Sequence, residues 1–385
     1  MEATPARQHE DEELLLVRFS GDVTTKADAT RRRFLQRMQR NIKDALRSEG
    51  IPHRVTRTRN RIFVALGRAG AERGAETLRR VFGVQSLARV EEISWESLED
   101  LVGKSERFFR ESVRGHTFAV RARRVGDRHE IPVRSEAVQR SLGAALVPHA
   151  RGVSLDEPER TAALEIMPGR AYLFEHSLSA EGGLPLGSGE RAVALLSGGF
   201  DSAVAAWLMM KRGVALDFVL CNLGGRQQQL ETLAVAKVLA DRWSYGTRPH
   251  LHAIDFDEVT RDLQAHVTPR FWQIVLKRLM MRAAEAVAGE RGAHAIVTGE
   301  VVAQVSSQTL PNLAVISAAT PLPILRPLLG FNKDEIIALS RRIGTHDLSA
   351  HVGEYCALVP KRPATRSTVA RIEDEEAGLD PHALE

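Results

Sequence analysis

Apolar residues recur along this chain in two rhythms: short alternating or continuous runs that suit strands, and three-and-four spacings that suit helices. Leu14-Leu15-Leu16-Val17-Arg18-Phe19 predicts a strand. Between Thr30 and Ser48, Phe34, Leu35, Met38, Ile42 and Leu46 fall on one helical face. A strand is expected over Arg54–Arg61, continuing through Ile62-Phe63-Val64-Ala65-Leu66. A helix near Ala71–Val81 and a strand near Ser86–Ile93 follow. Strand, helix, strand, helix, strand suggests a small ferredoxin-like α+β unit over residues 14–95, behind a polar leader (1–13) expected to be disordered.

The rhythm restarts at Trp95. A helix is predicted to Val113, and His116–Val125 sets Phe118, Val120 and Ala122 against Arg121 and Arg123, as a half-buried strand does. A helix over Ser135–Leu146 and strands Ala162–Ile166 and Ala171–Leu178, around the Pro168-Gly169 turn, complete an α/β unit over 96–180. Residues 181–190, with four glycines, read as a linker. From Arg191 strands and helices alternate: Leu216–Cys221, Gln229–Trp243, His250–Phe256, Phe271–Gly289, Ala293–Thr298 and Lys333–Ile343. That order predicts a doubly wound parallel sheet over 191–370. The remainder, 371–385, reads as a polar tail with a frayed helix.

Composition narrows the class of this multidomain α/β chain. No apolar run approaches membrane-spanning length, and the N-terminus is polar and acidic, so a cytoplasmic protein without membrane contact is expected. Two cysteines, Cys221 and Cys356, exclude a disulfide-stapled fold and an iron–sulfur cluster held by this chain alone. Net charge is only +4 over 385 residues. Its distribution matters more. Arg31, Arg32, Arg33, Arg37, Arg40, Lys43 and Arg47 share one helix, and Arg57, Arg59 and Arg61 alternate along the next strand. These suit either a phosphate-tracking surface or a solvated face.

The densest chemical signal is Ser197-Gly198-Gly199-Phe200-Asp201-Ser202, between the apolar run Arg191–Leu196 and a helix expected over Ala203–Arg212. Glycines there let backbone N–H groups close on an anion at a helix start, and two serines add hydroxyls. A carboxylate beside a phosphate cradle repels its ligand unless a cation lies between, so Asp201 predicts Mg²⁺. The competing reading is an ordinary tight turn. Lys277 suits phosphate neutralisation or a surface position. Thr298-Gly299-Glu300 and Ser306-Ser307-Gln308-Thr309 suit nucleoside contacts or plain loops. Cys356, near Lys361 and Arg362, is placed for thiolate chemistry or is an inert thiol. Cys221 ends an apolar strand and reads as packing.

Together Leu195-Leu196-Ser197-Gly198-Gly199-Phe200-Asp201-Ser202, Ile274–Arg278, Val297–Glu300 through Gln304–Leu310, Leu325–Leu328 and Glu354-Tyr355-Cys356 resemble the tRNA 4-thiouridine synthase (ThiI) family. The resemblance spans nearly the whole chain. It implies that 96–180 is a THUMP RNA-binding domain and that 191–370 is a PP-loop ATP pyrophosphatase domain. It implies ATP held by Leu195, Leu196, Ser197, Gly198, Gly199, Phe200, Asp201, Ser202, Lys277, Gly299 and Gln308. Catalysis is expected of Asp201, Lys333 and Cys356, although Lys333 carries no signal of its own. The implied reaction makes 4-thiouridine at tRNA position 8: uridine O4 is adenylated and then replaced by persulfide-derived sulfur. Some family members append a rhodanese-like domain, and this sequence stops at Glu385. Its sulfur is therefore expected from a cysteine desulfurase, from a separate rhodanese-type carrier or by use of Cys221. The case for the rhodanese-linked role in thiamine thiazole synthesis is correspondingly weaker. A homodimer is compatible with the resemblance. Ala303 stands where the family commonly has glycine. Two other readings stay open: a different adenylating tRNA-modification enzyme, and a non-catalytic tRNA-binding protein.

Overall fold

The structure, a computed structural model, describes residues 11–380 except Arg59, Arg128 and residues 354–360. The chain divides into two compact units, Met1–Gly183 and Leu184–Glu385.

The first unit opens with β1 (Glu12–Phe19), α1 (Gly21–Thr24), α2 (Asp28–Ser48), β2 (His53–Arg57), β3 (Ile62–Gly67), α3 (Arg68–Arg79) and β4 (Val84–Ser94). Strand β1 starts inside the expected leader, because Glu12 pairs in register with Gly67 and its carboxylate takes Arg54 at 2.6 Å. The single strand expected across 54–66 is instead a hairpin, with Val55 opposite Val64. Its turn has neither glycine nor proline; the Thr58 hydroxyl accepts the Asn60 and Arg61 N–H groups and reverses the chain. The antiparallel order β2-β3-β1-β4 is ferredoxin-like. All five apolar residues singled out on α2 are buried, while Arg32, Arg33, Arg40 and Arg47 on the same helix are exposed.

The sheet does not end there. Strand β4 is long enough for its second half to pair with β8 (Arg170–Phe174), preceded by α4 (Leu98–Val113), β5 (Thr117–Arg124), α5 (Ser135–Leu146), β6 (Gly152–Val153) and β7 (Arg160–Met167); β9 (Leu178–Ser179) returns beside β4. The nine strands form one sheet continuing β4-β8-β7-β5-β6. Helix α4 starts at Leu98, not Trp95, because the Ser97 hydroxyl caps the Asp100 N–H. At the seam, Phe63 packs on Tyr172 with ring centroids 4.6 Å apart. Beside it the buried Glu165 accepts Arg61 Nε at 2.6 Å and Arg18 Nε at 2.7 Å. Arg61, expected on a basic surface, is thus part of the core. Burial alone would raise the Glu165 carboxyl pKa, but the two guanidinium groups hold it below the ordinary range.

The second unit is wound as expected: β10 (Arg191–Leu195), α6 (Phe200–Lys211), β11 (Ala215–Asn222), α7 (Gly225–Trp243), β12 (Leu251–Asp255), α8 (Asp257–His266), α9 (Trp272–Arg291), β13 (Ile296–Val297), α10 (Leu310–Ser317), β14 (Ile324–Leu325), α11 (Lys333–Ile343), α12 (His346–Ala350) and α13 (Val369–Glu376). Every pairing in the order β12-β11-β10-β13-β14 is parallel. The order reverses between β10 and β13, and a ligand crevice belongs outside the carboxyl ends of those strands. The helix Val369–Glu376 is not frayed. Ile372 is fully buried, and the Glu376 carboxylate takes Nε and Nη2 of the buried Arg278 at 2.7 and 3.1 Å. A buried arginine requires such a partner, and α13 supplies it.

Candidate active site

Strand β10 ends at Leu195, and the chain turns through Ser197–Gly199 straight into α6. The helix starts at Phe200, three residues earlier than expected, so Asp201 and Ser202 lie in its first turn. That turn leaves its N–H groups without helical acceptors. The loop is held internally: the Ser202 hydroxyl lies 3.3 Å from Ser197 N and donates to Gly199 O at 3.1 Å. From outside, the Ser349 hydroxyl donates to Gly198 O at 2.8 Å. Gly198 has φ +83°, and a Cβ there would sit 3.2 Å from both Thr232 Oγ1 and Val352 Cγ2.

Strand β13 delivers the opposing wall. Gly299 packs against the start of α6 so closely that a Cβ would lie 2.6 Å from the Asp201 carbonyl carbon and 2.7 Å from Ser202 N. Only glycine lets the two backbones meet. Between them opens a cavity of about 240 Å³, lined by Leu195, Leu196, Ser197, Asp201, Ser202, Lys277, Gly299 and Gln308 of the expected set. Cys221, Thr298, Glu300, Met280 and Met281 also line it. The Gln308 side-chain carbonyl oxygen is buried without a hydrogen-bond partner, an acceptor awaiting a donor. Apolar walls, a helix start whose first N–H groups have no helical acceptors and an unmatched side-chain acceptor fit an adenine nucleotide.

The charges are organised in two groups. Glu300, buried, accepts Lys277 Nζ at 3.1 Å, Arg326 Nε at 2.6 Å and the Thr298 hydroxyl at 3.1 Å. Burial would push its carboxyl up, yet the Lys277 and Arg326 charges hold it below the ordinary range, so it stays ionised. Asp201 forms the second group. Its Oδ1 takes Lys333 Nζ at 2.9 Å and its Oδ2 takes the Gln304 amide at 3.0 Å. Lys333 stands at the start of α11, and its ammonium lies 5.4 Å from the Phe200 ring centroid. Asp201 is a single carboxylate; among the described residues no cluster of three His, Cys, Asp or Glu could hold a metal. One carboxylate is nonetheless what Mg²⁺ takes when phosphates supply its other ligands.

The expected residues therefore converge, with two qualifications. Phe200 packs beside the site, against His346, and neither it nor Gly198, Gly199 or Lys333 lines the cavity, which Lys333 reaches only through Asp201. Cys356 lies outside the described residues. Cys221 does face the cavity, but burial pushes its thiol pKa far up, so it is a thiol and not a nucleophile. Arg326 and Gln304 had no role assigned from sequence, and Glu300 entered only within a segment suited to nucleoside contacts or a plain loop. Glu300 and Arg326 each follow a short strand, where sheets of this type present ligand-facing residues.

Comparison with known proteins decides the family. Residues 187–380 match the profile described as "Thiamine biosynthesis protein (ThiI)", and residues 14–88 match the ThiI ferredoxin-like domain. The chain belongs to the ThiI family. A probable tRNA sulfurtransferase of Aeropyrum pernix is 40% identical over 90% of this chain and 87% of its own length. A tRNA sulfurtransferase of Marinobacter nauticus is 35% identical over 96% of this chain and 77% of its own. Among solved structures, a 4-thiouridine synthetase–RNA complex with bound ATP superposes with a TM-score of 0.81 at 29% identity, covering 95% of this chain and 94% of that one. As a ThiI family member the chain combines a ferredoxin-like N-terminal fold with a parallel-sheet PP-loop fold, as its sequence implied.

Proposed function

We propose that this chain is an ATP-dependent tRNA sulfurtransferase that converts uridine to 4-thiouridine at tRNA position 8. The observation that carries the reading is the Gly299–Asp201 backbone contact. It closes a loop rich in N–H donors around a cavity that also holds Lys277 and the unmatched Gln308 acceptor.

Uracil O4 is a poor leaving group. Its attack on the α-phosphorus of ATP, with loss of the N3 proton, breaks the α–β bridge and releases pyrophosphate. Loop N–H groups from Ser197 to Ser202 and the Lys277 ammonium would stabilise charge on the departing phosphates. Mg²⁺, held by Asp201 and the phosphates, would supply further neutralisation of that charge. Lys333 holds Asp201 in place. Hydrosulfide can attack C4 directly, and AMP departs with the former O4. Where a carrier persulfide R–S–SH attacks instead, AMP departs in the same way. A thiolate must then cleave the S–S bond, leaving the outer sulfur on C4 and forming a disulfide with the carrier sulfur that an external thiol reduces. Cys356, outside the described residues, is the thiol proposed for that cleavage, since the buried Cys221 lacks thiolate character. Sulfur would arrive from a cysteine desulfurase or a separate rhodanese-type carrier. The exposed arginines of α2, with Arg121 and Arg123 of β5, are the surface proposed to track tRNA phosphates.

Mass spectrometry of tRNA nucleosides from cells lacking this protein tests the reading. 4-Thiouridine should be absent, return with the wild-type chain and stay absent with Cys356→Ser. Unchanged 4-thiouridine in the null cells overturns it.

A further inference from the structure

Asp201 is gripped from two sides; Lys333 was expected at the site, Gln304 was not. The other comes from a segment whose backbone is unusual. Ala303 has φ +61° and is the only non-glycine residue with positive φ among those described. That conformation is strained for a residue with a Cβ, and such strain persists only where surrounding contacts enforce it. Here they do. The Ala303 N–H donates to Gln308 O at 2.9 Å, the Gln308 N–H donates to Val305 O at 2.9 Å, and Val302 N–H reaches Leu329 O at 3.3 Å. The resulting tight turn does two things at once. It places Gln308 in the cavity, and it directs the Gln304 side chain away from its neighbours to Asp201 Oδ2 at 3.0 Å.

An ionised carboxylate only accepts hydrogen bonds, so Gln304 must present its NH₂ group and not its carbonyl. Lys333 contacts Oδ1 and Gln304 contacts Oδ2. Two donors on different oxygens fix both side-chain torsions of Asp201. One donor would leave the carboxylate free to swing. The Gln304 amide adds no charge, so it orients Asp201 without competing for the role of counter-ion. The same argument explains why a surface glutamine matters at this point: an exposed hydrogen bond is weak by itself, but the carboxylate it orients must face phosphate once ATP is bound.

We propose that Gln304 is a positioning residue for Asp201, delivered by the left-handed turn at Ala303 and acting on ATP through that carboxylate alone. The inference rests on the adenylating role proposed for Asp201, and its test separates the two. Binding of ATP in the presence of Mg²⁺ is measured by titration calorimetry on the full chain and its variants. Gln304→Ala should weaken binding by roughly 10-fold, and the same substitution in the Asp201→Asn background should weaken it by less than about 2-fold, the signature of a shared pathway. Gln304→Glu gives a second readout that needs no double variant. It keeps the side-chain shape but replaces the amide donor by a carboxylate acceptor. It should therefore weaken binding at least as much as Gln304→Ala, whereas a merely structural glutamine would tolerate it. Equal losses in both backgrounds, no loss in either, or near-wild-type binding by Gln304→Glu overturns the proposal. Failure of Asp201→Asn itself to weaken ATP binding would instead sink the role given to Asp201.

Discussion

Lys277 and Glu300 form an ion pair at 3.1 Å inside the nucleotide cavity, and the second Glu300 oxygen holds Arg326 at 2.6 Å. The two cations are not equivalent. The Arg326 side chain is 10% exposed and depends on Glu300, whereas Lys277 retains contact with the cavity. Glu300→Ala strands a buried guanidinium and is expected to destabilise the second unit by about 3–5 kcal/mol. Lys277→Ala leaves Glu300 paired with Arg326, so the fold should lose only about 1 kcal/mol. Its kcat/KM for ATP should fall roughly 100-fold or more, as when a charge-stabilising donor is removed. Denaturant melts and steady-state kinetics on both variants separate these outcomes.

Gly299→Ala probes the contact on which the site is built. The new Cβ would meet main-chain atoms of Asp201 and Ser202 at 2.6 to 2.8 Å, and backbone cannot rotate aside as a side chain does. The phosphate loop must shift by a large fraction of an ångström. Displacements of that size cost about 100-fold in turnover, so activity should drop by that order while circular dichroism stays native-like. Near-wild-type turnover would show that the close approach is incidental.

Much of this arrangement was legible in the amino-acid order, for identifiable reasons. Phe34, Leu35, Met38, Ile42 and Leu46 announced α2 because burial of one helical face imposes its own period. The loop 197–202 was readable because its glycines and serines are chemically specific. The hairpin at Thr58–Arg61 was not, since a threonine hydroxyl makes that turn in place of glycine or proline. Arg61 looked like a surface charge and Glu165 carried no reading of its own; their pairing across 104 residues depends on a sheet shared by two sequence segments. Lys333 and Gln304 were mute as individual residues, because their meaning lies in what they touch. The segment after 370 looked polar enough to fray, but its acids face Arg278 and Thr268.

Acid should loosen the first unit through Glu165. Its pKa is lowered in the folded chain, so the ion pair contributes stability that is present above the unfolded glutamate range and lost as pH falls through the folded value. Glu165→Ala should cost about 3–5 kcal/mol at neutral pH, with Arg61 left buried. The gap between wild type and variant should shrink as the solution is acidified. Chemical denaturation from neutral pH down through the carboxylate range measures it; a constant gap would assign the loss to packing alone.

Ala303→Gly should raise stability. The left-handed backbone costs a Cβ-bearing residue about 1–2 kcal/mol, and the extra freedom of glycine when unfolded offsets about 0.5–1 kcal/mol. The remainder corresponds to about 2 °C in the midpoint of the second unit. Differential scanning calorimetry checks it, and a lowered midpoint would contradict the strain assigned to that turn.

Whether this fold activates a nucleobase is answered most directly by counting products. Purified chain would be given ATP, Mg²⁺, tRNA and a sulfide or persulfide source, and AMP and 4-thiouridine quantified together. The account predicts that AMP appears only with tRNA, matches 4-thiouridine mole for mole, and that both vanish in Asp201→Asn. AMP released without tRNA, or 4-thiouridine made undiminished by Asp201→Asn, would contradict it.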